Sequence, residues 1–128
     1  MTHIEKQVFD LVRNELKPEM VRPEYRDSDS EYCGHCHHAT LAMYNLLGGK
    51  NCGYKVCKAV DERQIIHYWL ESPTGETIDP TAEQYTDLNR QLPYDRRIKT
   101  GVSYGKTNAA ISIIEAVKVQ LVLTDKAN

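Results

Sequence analysis

The tetrapeptide Ser72-Pro73-Thr74-Gly75 constrains the fold of this chain most, because β-rich sequence flanks it on both sides. Proline at the second position and glycine at the fourth suit a tight turn. The stretch from Gln64 to Glu71 has strand character, and Glu76 to Asp79 returns as a short strand closed by Pro80. The turn therefore reads as the bend of an antiparallel hairpin. Its length decides which side chains share a sheet face, since successive side chains alternate. A three-residue loop puts His67 and Asp79 on one face, directly opposite or one diagonal step apart. A four-residue loop sends Asp79 to the other face.

The rest of the chain supplies elements to pack around that hairpin. Thr2 to Leu16 carries Ile4, Val8, Leu11, Val12 and Leu16 at helical spacing, with Thr2 as N-cap. Pro18 and Pro23 break it, and Pro18 to Ser30 reads as loop. A second helix is expected from about Cys36 to Leu47, stopping at Gly48-Gly49, with Cys36, Ala39, Thr40, Met43, Leu46 and Leu47 inward. Tyr54 to Val60 alternates as a further strand. Gln84 to Lys106 looks irregular and is longer than a plain connection needs. A final helix from Asn108 to roughly Leu123 carries Ala110, Ile113, Ile114, Val117 and Leu121 on one side, with a strand near Val117 to Val122 as the alternative. This order predicts an α+β fold with an antiparallel sheet, a single domain over residues 1–128. Its core motifs fall at about 30–85, and residues 84–124 form a C-terminal irregular loop and helix.

Composition excludes several classes of partner. With 41% hydrophobic and 27% charged residues the chain suits one soluble globular core. A formal net charge of -2 gives no pull toward nucleic acid or an anionic membrane. Arg90, Arg96, Arg97 and Lys99 are interleaved with Asp87 and Asp95 and read as a solvated loop. Ala109 to Leu123, the most apolar stretch, is too short and too polar to span a bilayer. The opening Met-Thr-His-Ile-Glu-Lys lacks the apolar run of a secretory signal, which predicts a cytoplasmic protein with Cys33, Cys36, Cys52 and Cys57 reduced.

The most informative stretch is Tyr32-Cys33-Gly34-His35-Cys36-His37-His38-Ala39-Thr40. A thiol attacks only as thiolate, which the unpaired N–H groups and dipole of a helix's first turn favour. Cys36 stands where the helical stripe begins, just after a glycine that permits a tight lead-in turn. Its own N–H faces a developing oxyanion. His67, inside Ile65-Ile66-His67-Tyr68-Trp69-Leu70, is the candidate base, and Asp79 the carboxylate that fixes its tautomer. Each alone has a plain structural reading: a buried cysteine, a packed strand histidine, a strand-ending turn. Together, in the order Cys, His, Asp on helix, strand and strand, they read as a catalytic triad.

That constellation resembles the transglutaminase-like branch of the papain-like cysteine enzymes. Gly34-His35-Cys36 matches its Gly-x-Cys at a helix start, His67-Tyr68-Trp69-Leu70-Glu71 its strand histidine, and Asp79-Pro80-Thr81, continued by Ala82-Glu83-Gln84-Tyr85, its strand-ending motif. The resemblance covers roughly residues 30 to 85. It implies a nucleophile-bearing helix packed on a small antiparallel sheet, with Cys36, His67 and Asp79 catalytic. It further implies a peptide or protein substrate, no cofactor and no metal. Where papain-like proteases carry an oxyanion-hole glutamine six residues before the nucleophile, this chain has Ser30, and no Gln or Asn lies between Asn14 and Asn45. The implied reaction is acyl transfer at an amide or isopeptide bond; peptidase, deamidase and transamidase chemistry share these residues.

A redox protein using Cys33 and Cys36 as a dithiol has little support, because no βα unit precedes the pair, and two other readings compete. Cys33, Cys36, Cys52 and Cys57, with His35, His37 and His38 nearby, offer donors for zinc, although the second pair is spaced Cys-x4-Cys. A binding module that keeps the fold without catalysis is the other, and the absent oxyanion glutamine favours it.

Overall fold

Thr2 opens the first helix, α1 (His3–Asn14), through a capping box with Glu5. The Thr2 hydroxyl accepts from Glu5 N at 3.2 Å, and Glu5 Oε1 accepts from Thr2 N at 2.8 Å. The computed structural model describes residues 1–26, 28–99, 102 and 104–127. Val8 and Val12 of α1 are buried as expected, whereas Ile4 is exposed and Glu5 is buried in its stead. Burial of that carboxylate is made tolerable by its cap partner and by the Tyr54 hydroxyl, which donates to Oε2 at 2.6 Å.

The segment expected as loop from Pro18 to Ser30 contains a 3₁₀ turn, Pro18–Met20, and one helical turn, α2 (Pro23–Arg26). Each has a proline at its start, where no N–H is needed. Asp27 lies outside the described residues. Helix α3 (Cys36–Leu46) follows and yields at Gly48, whose φ of 95° suits glycine. The expected stripe is buried through Met43, but His38, Leu41 and Ala42 are buried as well. The middle of α3 is therefore enclosed on more than one side, by α1, the sheet and the last helix.

Strands β1 (Lys55–Val60), β2 (Ile66–Glu71), β3 (Thr77–Ile78) and β4 (Arg97–Ile98) form one antiparallel sheet in the order β3-β2-β1-β4. Ser72 N donates to Glu76 O, and Gly75 N to Ser72 O, both at 2.9 Å, so the β2–β3 loop is the three residues Pro73-Thr74-Gly75. Gly75, at φ 84°, supplies the left-handed residue that such a loop requires. The stretch from Gln84 to Lys106 is more regular than expected: α4 (Glu83–Thr86) overlaps its start, then come a 3₁₀ turn at Tyr94–Arg96 and β4. Thr100, Gly101 and Ser103 of that stretch lie outside the described residues. Helix α5 runs Asn108–Ala127, longer than expected. Ala110, Ile113, Ile114 and Val117 are buried at three- and four-residue steps, which overturns the strand alternative.

The protein is thus α+β, with α3 packed on one face of the sheet and α1 and α5 packed against α3 and each other. Val56, Leu70 and Ile78 face those helices in the main core, while Cys57, Ala59 and Trp69 pack with Tyr94 on the other face. Among the described residues, no helix is long and apolar enough to cross a membrane.

Candidate active site

The lead-in to α3 is built around Gly34. It sits at φ +86°, and a Cβ there would meet Val21 Cγ1 at 3.0 Å and Tyr25 Cβ at 3.2 Å. Only glycine fits both the backbone and the space. His35 N closes a turn onto Tyr32 O at 3.2 Å, and the helix begins at Cys36 with no side-chain hydrogen bond from its cap residue His35. The N–H groups of that first turn therefore have no intrahelical acceptor. Cys36 is 7% exposed, and its Sγ lies 3.7 Å from the Ile66 carbonyl, at the start of β2.

His67, the next residue, is fully buried, on the same face as Trp69. The hairpin register pairs Leu70 with Ile78, which sets Asp79 across from Trp69 and one diagonal step from His67. The two side chains meet: His67 Nε2 is 2.6 Å from Asp79 Oδ2. The same oxygen accepts from the Tyr94 hydroxyl at 2.7 Å, and Asp79 Oδ1 accepts from Thr81 N at 3.1 Å. A carboxylate with this many donors is fixed in place and presents an acceptor to the ring. Burial pulls the His67 ring toward the neutral form, but the Asp79 hydrogen bond, together with the Cys36 thiol as hydrogen-bonding neighbour, outweighs it. The ring is held up at about 9. Nε2 is committed to Asp79, and the Cys36 thiol is a further neighbour of the ring.

Two functional candidates escaped the sequence reading. Gln84 Nε2 lies 3.0 Å from His67 Nδ1. Tyr94 arrives from the stretch expected to be irregular and shares Asp79 with the histidine. Gln84 stands three residues after Thr81, one helical turn beyond the Asp-Pro-Thr motif, and that spacing was the available signal. Tyr94 had none, since it lies in a segment without periodicity. Tyr85, beside Gln84, sets its ring edge-on to His67 at 4.8 Å and donates to Asp61 Oδ2 at 2.8 Å.

The remaining cysteine and histidine candidates fall elsewhere. All four thiols are free. Cys33 is half-buried at the rim of a cleft of about 850 Å³ that also takes in Arg13 and Tyr32, Cys52 is exposed, and Cys57 is buried on β1. His35 Nδ1 and His38 Nε2 contact each other at 2.6 Å, and His37 stacks on Tyr68 at 4.3 Å. Burial, reinforced by His35 and His37, pushes His38 down to about 3. Among the described residues, no group of three or more His, Cys, Asp or Glu side chains is arranged to hold a metal ion. Ser30, at the position of the papain-like glutamine, is committed to structure: its hydroxyl donates to Asp87 Oδ2 at 2.9 Å and contacts Glu83 O at 3.2 Å.

Comparison with protein-family models, curated proteins and solved structures returns no match, so the functional reading rests on the residues themselves.

Proposed function

We propose that this protein is a thiol-dependent acyl-transfer enzyme of the transglutaminase-like, papain-like kind, with Cys36 as nucleophile, His67 as base and Asp79 orienting that base. The observation that carries the reading is the buried 2.6 Å contact between His67 Nε2 and Asp79, on a ring that also has the Cys36 thiol as a hydrogen-bonding neighbour. In the reaction Cys36 loses its proton to His67 Nδ1, and the sulfur attacks an amide or isopeptide carbonyl of a peptide or protein. The Cys36 N–H supports the oxyanion as the tetrahedral intermediate forms. His67 then protonates the leaving amine, the C–N bond breaks, and a thioester on Cys36 remains for water or an acceptor amine. Asp79 holds the imidazolium in register throughout. Four free thiols suit a reducing compartment, which supports the cytoplasm as the site of action.

A non-catalytic binding module is the second reading. It draws on the burial of the site, with Cys36 only 7% and His67 0% exposed. One experiment separates the two. An activated ester such as p-nitrophenyl acetate, mixed with stoichiometric protein, should release a burst of nitrophenol and leave an acetyl group on Cys36, read by mass spectrometry. His67→Ala should abolish the burst. Acetylation at Cys52 with none at Cys36 would end the enzymatic reading.

A further inference from the structure

Gln84 is 5% exposed and sits on α4 with its amide nitrogen 3.0 Å from His67 Nδ1. Its other amide atom, Oε1, is buried with no hydrogen-bond partner. A buried carbonyl oxygen left unpaired beside a satisfied NH2 is costly, so this arrangement suits only one state of the ring. An amide NH2 donates and does not accept; facing it, Nδ1 must present its lone pair, so this amide orientation belongs to the neutral Nε2–H tautomer, the state reached above about 9. Once the ring is charged, Nδ1 carries hydrogen and the NH2 no longer fits. A half-turn about the last side-chain torsion, which is broad and roughly two-fold, brings Oε1 onto Nδ1–H and gives the orphaned oxygen its partner.

We propose that Gln84 is a positioning residue for His67, its amide standing in for water at Nδ1 and turning over as the ring gains or loses its proton. The inference rests on the Cys36–His67 reading above. When the S–H bond of Cys36 breaks and the N–H bond of Nδ1 forms, the amide carbonyl and the thiolate compete for that one hydrogen. Gln84 is thus a rival of Cys36 as well as a partner of His67. The other groups around the ring do not perform this role. Asp79 acts at Nε2, the Tyr94 hydroxyl donates to Asp79 rather than to the ring, and the Tyr85 hydroxyl is committed to Asp61, beside Arg63. Both phenols are pushed up by burial and stay neutral across the relevant range.

Two near-isosteric variants separate this role from space-filling. Gln84→Met removes the competitor, and iodoacetamide should modify Cys36 at pH 6 about tenfold faster, the factor for one hydrogen bond to a charged ring. Gln84→Glu installs an acceptor that can only hold the charged ring and draws its hydrogen away from the thiolate. Modification at pH 6 should slow by about tenfold or more, as for a charge-assisted bond. In the native protein, the Gln84 side-chain NH2 signals in NMR should shift with the same midpoint as the His67 ring. Shifts of rate in the same direction, or none in either variant, overturn the proposal. So do NH2 signals that stay flat through the His67 titration, and this native measurement decides the matter if circular dichroism shows a variant unfolded. His67→Ala serves as the separate control: if Cys36 reactivity there matches the native protein, the Cys36–His67 reading fails, while the Gln84–His67 titration stands on its own.

Discussion

Asp79 Oδ2 meets His67 Nε2 at 2.6 Å from one diagonal step across the β2–β3 hairpin, inside a site where the ring is fully buried. The ring is held up at about 9 against an ordinary 6.5. A raised histidine stabilises the fold fully below 6.5, and that contribution is lost as the pH rises through 9. The difference amounts to about 3 kcal/mol. Asp79→Asn should bring the His67 midpoint to 6.5 or below and remove the fall in stability between pH 6.5 and 9. NMR titration and denaturant midpoints against pH read both effects. A folded variant whose ring still titrates near 9 would take Asp79 out of the site.

On the proposed reading, in which the His67 imidazole activates it, Cys36 should react with iodoacetamide at pH 6 about tenfold faster than Cys52. Exposure alone predicts the reverse, because Cys52 is exposed and Cys36 is buried. Cys57, which burial pushes up to about 11, should be the slowest of the four. Peptide mapping of alkylation rates checks the order, and His67→Ala should erase the lead of Cys36.

His38 makes the opposite demand on pH. Its ring, paired with His35, is pushed down to about 3 by burial, so the folded state resists a proton that the unfolded chain accepts below 6.5. Stability tied to this group is present above 6.5 and drains away as the pH falls toward 3. At pH 5 the loss is about 2 kcal/mol. His38→Gln, which cannot take up a proton, should flatten that acid limb in urea titrations. An equally steep limb in the variant would assign it to other groups.

Gly34→Ala should cost about 1–3 kcal/mol, since an L side chain at φ +86° is strained and its Cβ crowds Val21 and Tyr25. The same change should slow Cys36 alkylation, because the turn it distorts sets the start of α3. Urea midpoints and alkylation rates measured together test this. A variant destabilised but chemically unaltered would show that the lead-in turn supports the fold and not the site.

Much of the site was legible because two short periodicities decide it. Cys36 opens a helical stripe, and the three-residue turn at Pro73-Thr74-Gly75 fixes the alternation that brings His67 and Asp79 to one face. Glu5 was less legible: helical spacing favoured Ile4 as the buried residue, and Tyr54, just before β1, joins the Thr2 cap in making the carboxylate acceptable there. Tyr94 was hidden for a related reason. Its role comes from a loop folding back over the sheet, and no local pattern encodes where such a loop will land. The α2 turn and β4 are both short and are held by their neighbours rather than by propensity.

The division of the site between a hairpin and a helix separates two events that are often fused. His67, Asp79 and Gln84 belong to one short, contiguous run of chain, so the proposed base and these two partners can assemble as a local unit. Cys36 is delivered by a different element, held against that unit through the packing of α1, α3 and α5. A lesion confined to the helical layer would leave a complete proton acceptor with nothing to deprotonate. On the proposed reading, loss of Cys36 reactivity should therefore run ahead of unfolding, and a sample that still gives the circular dichroism of a folded sheet is no guarantee of a reactive thiol.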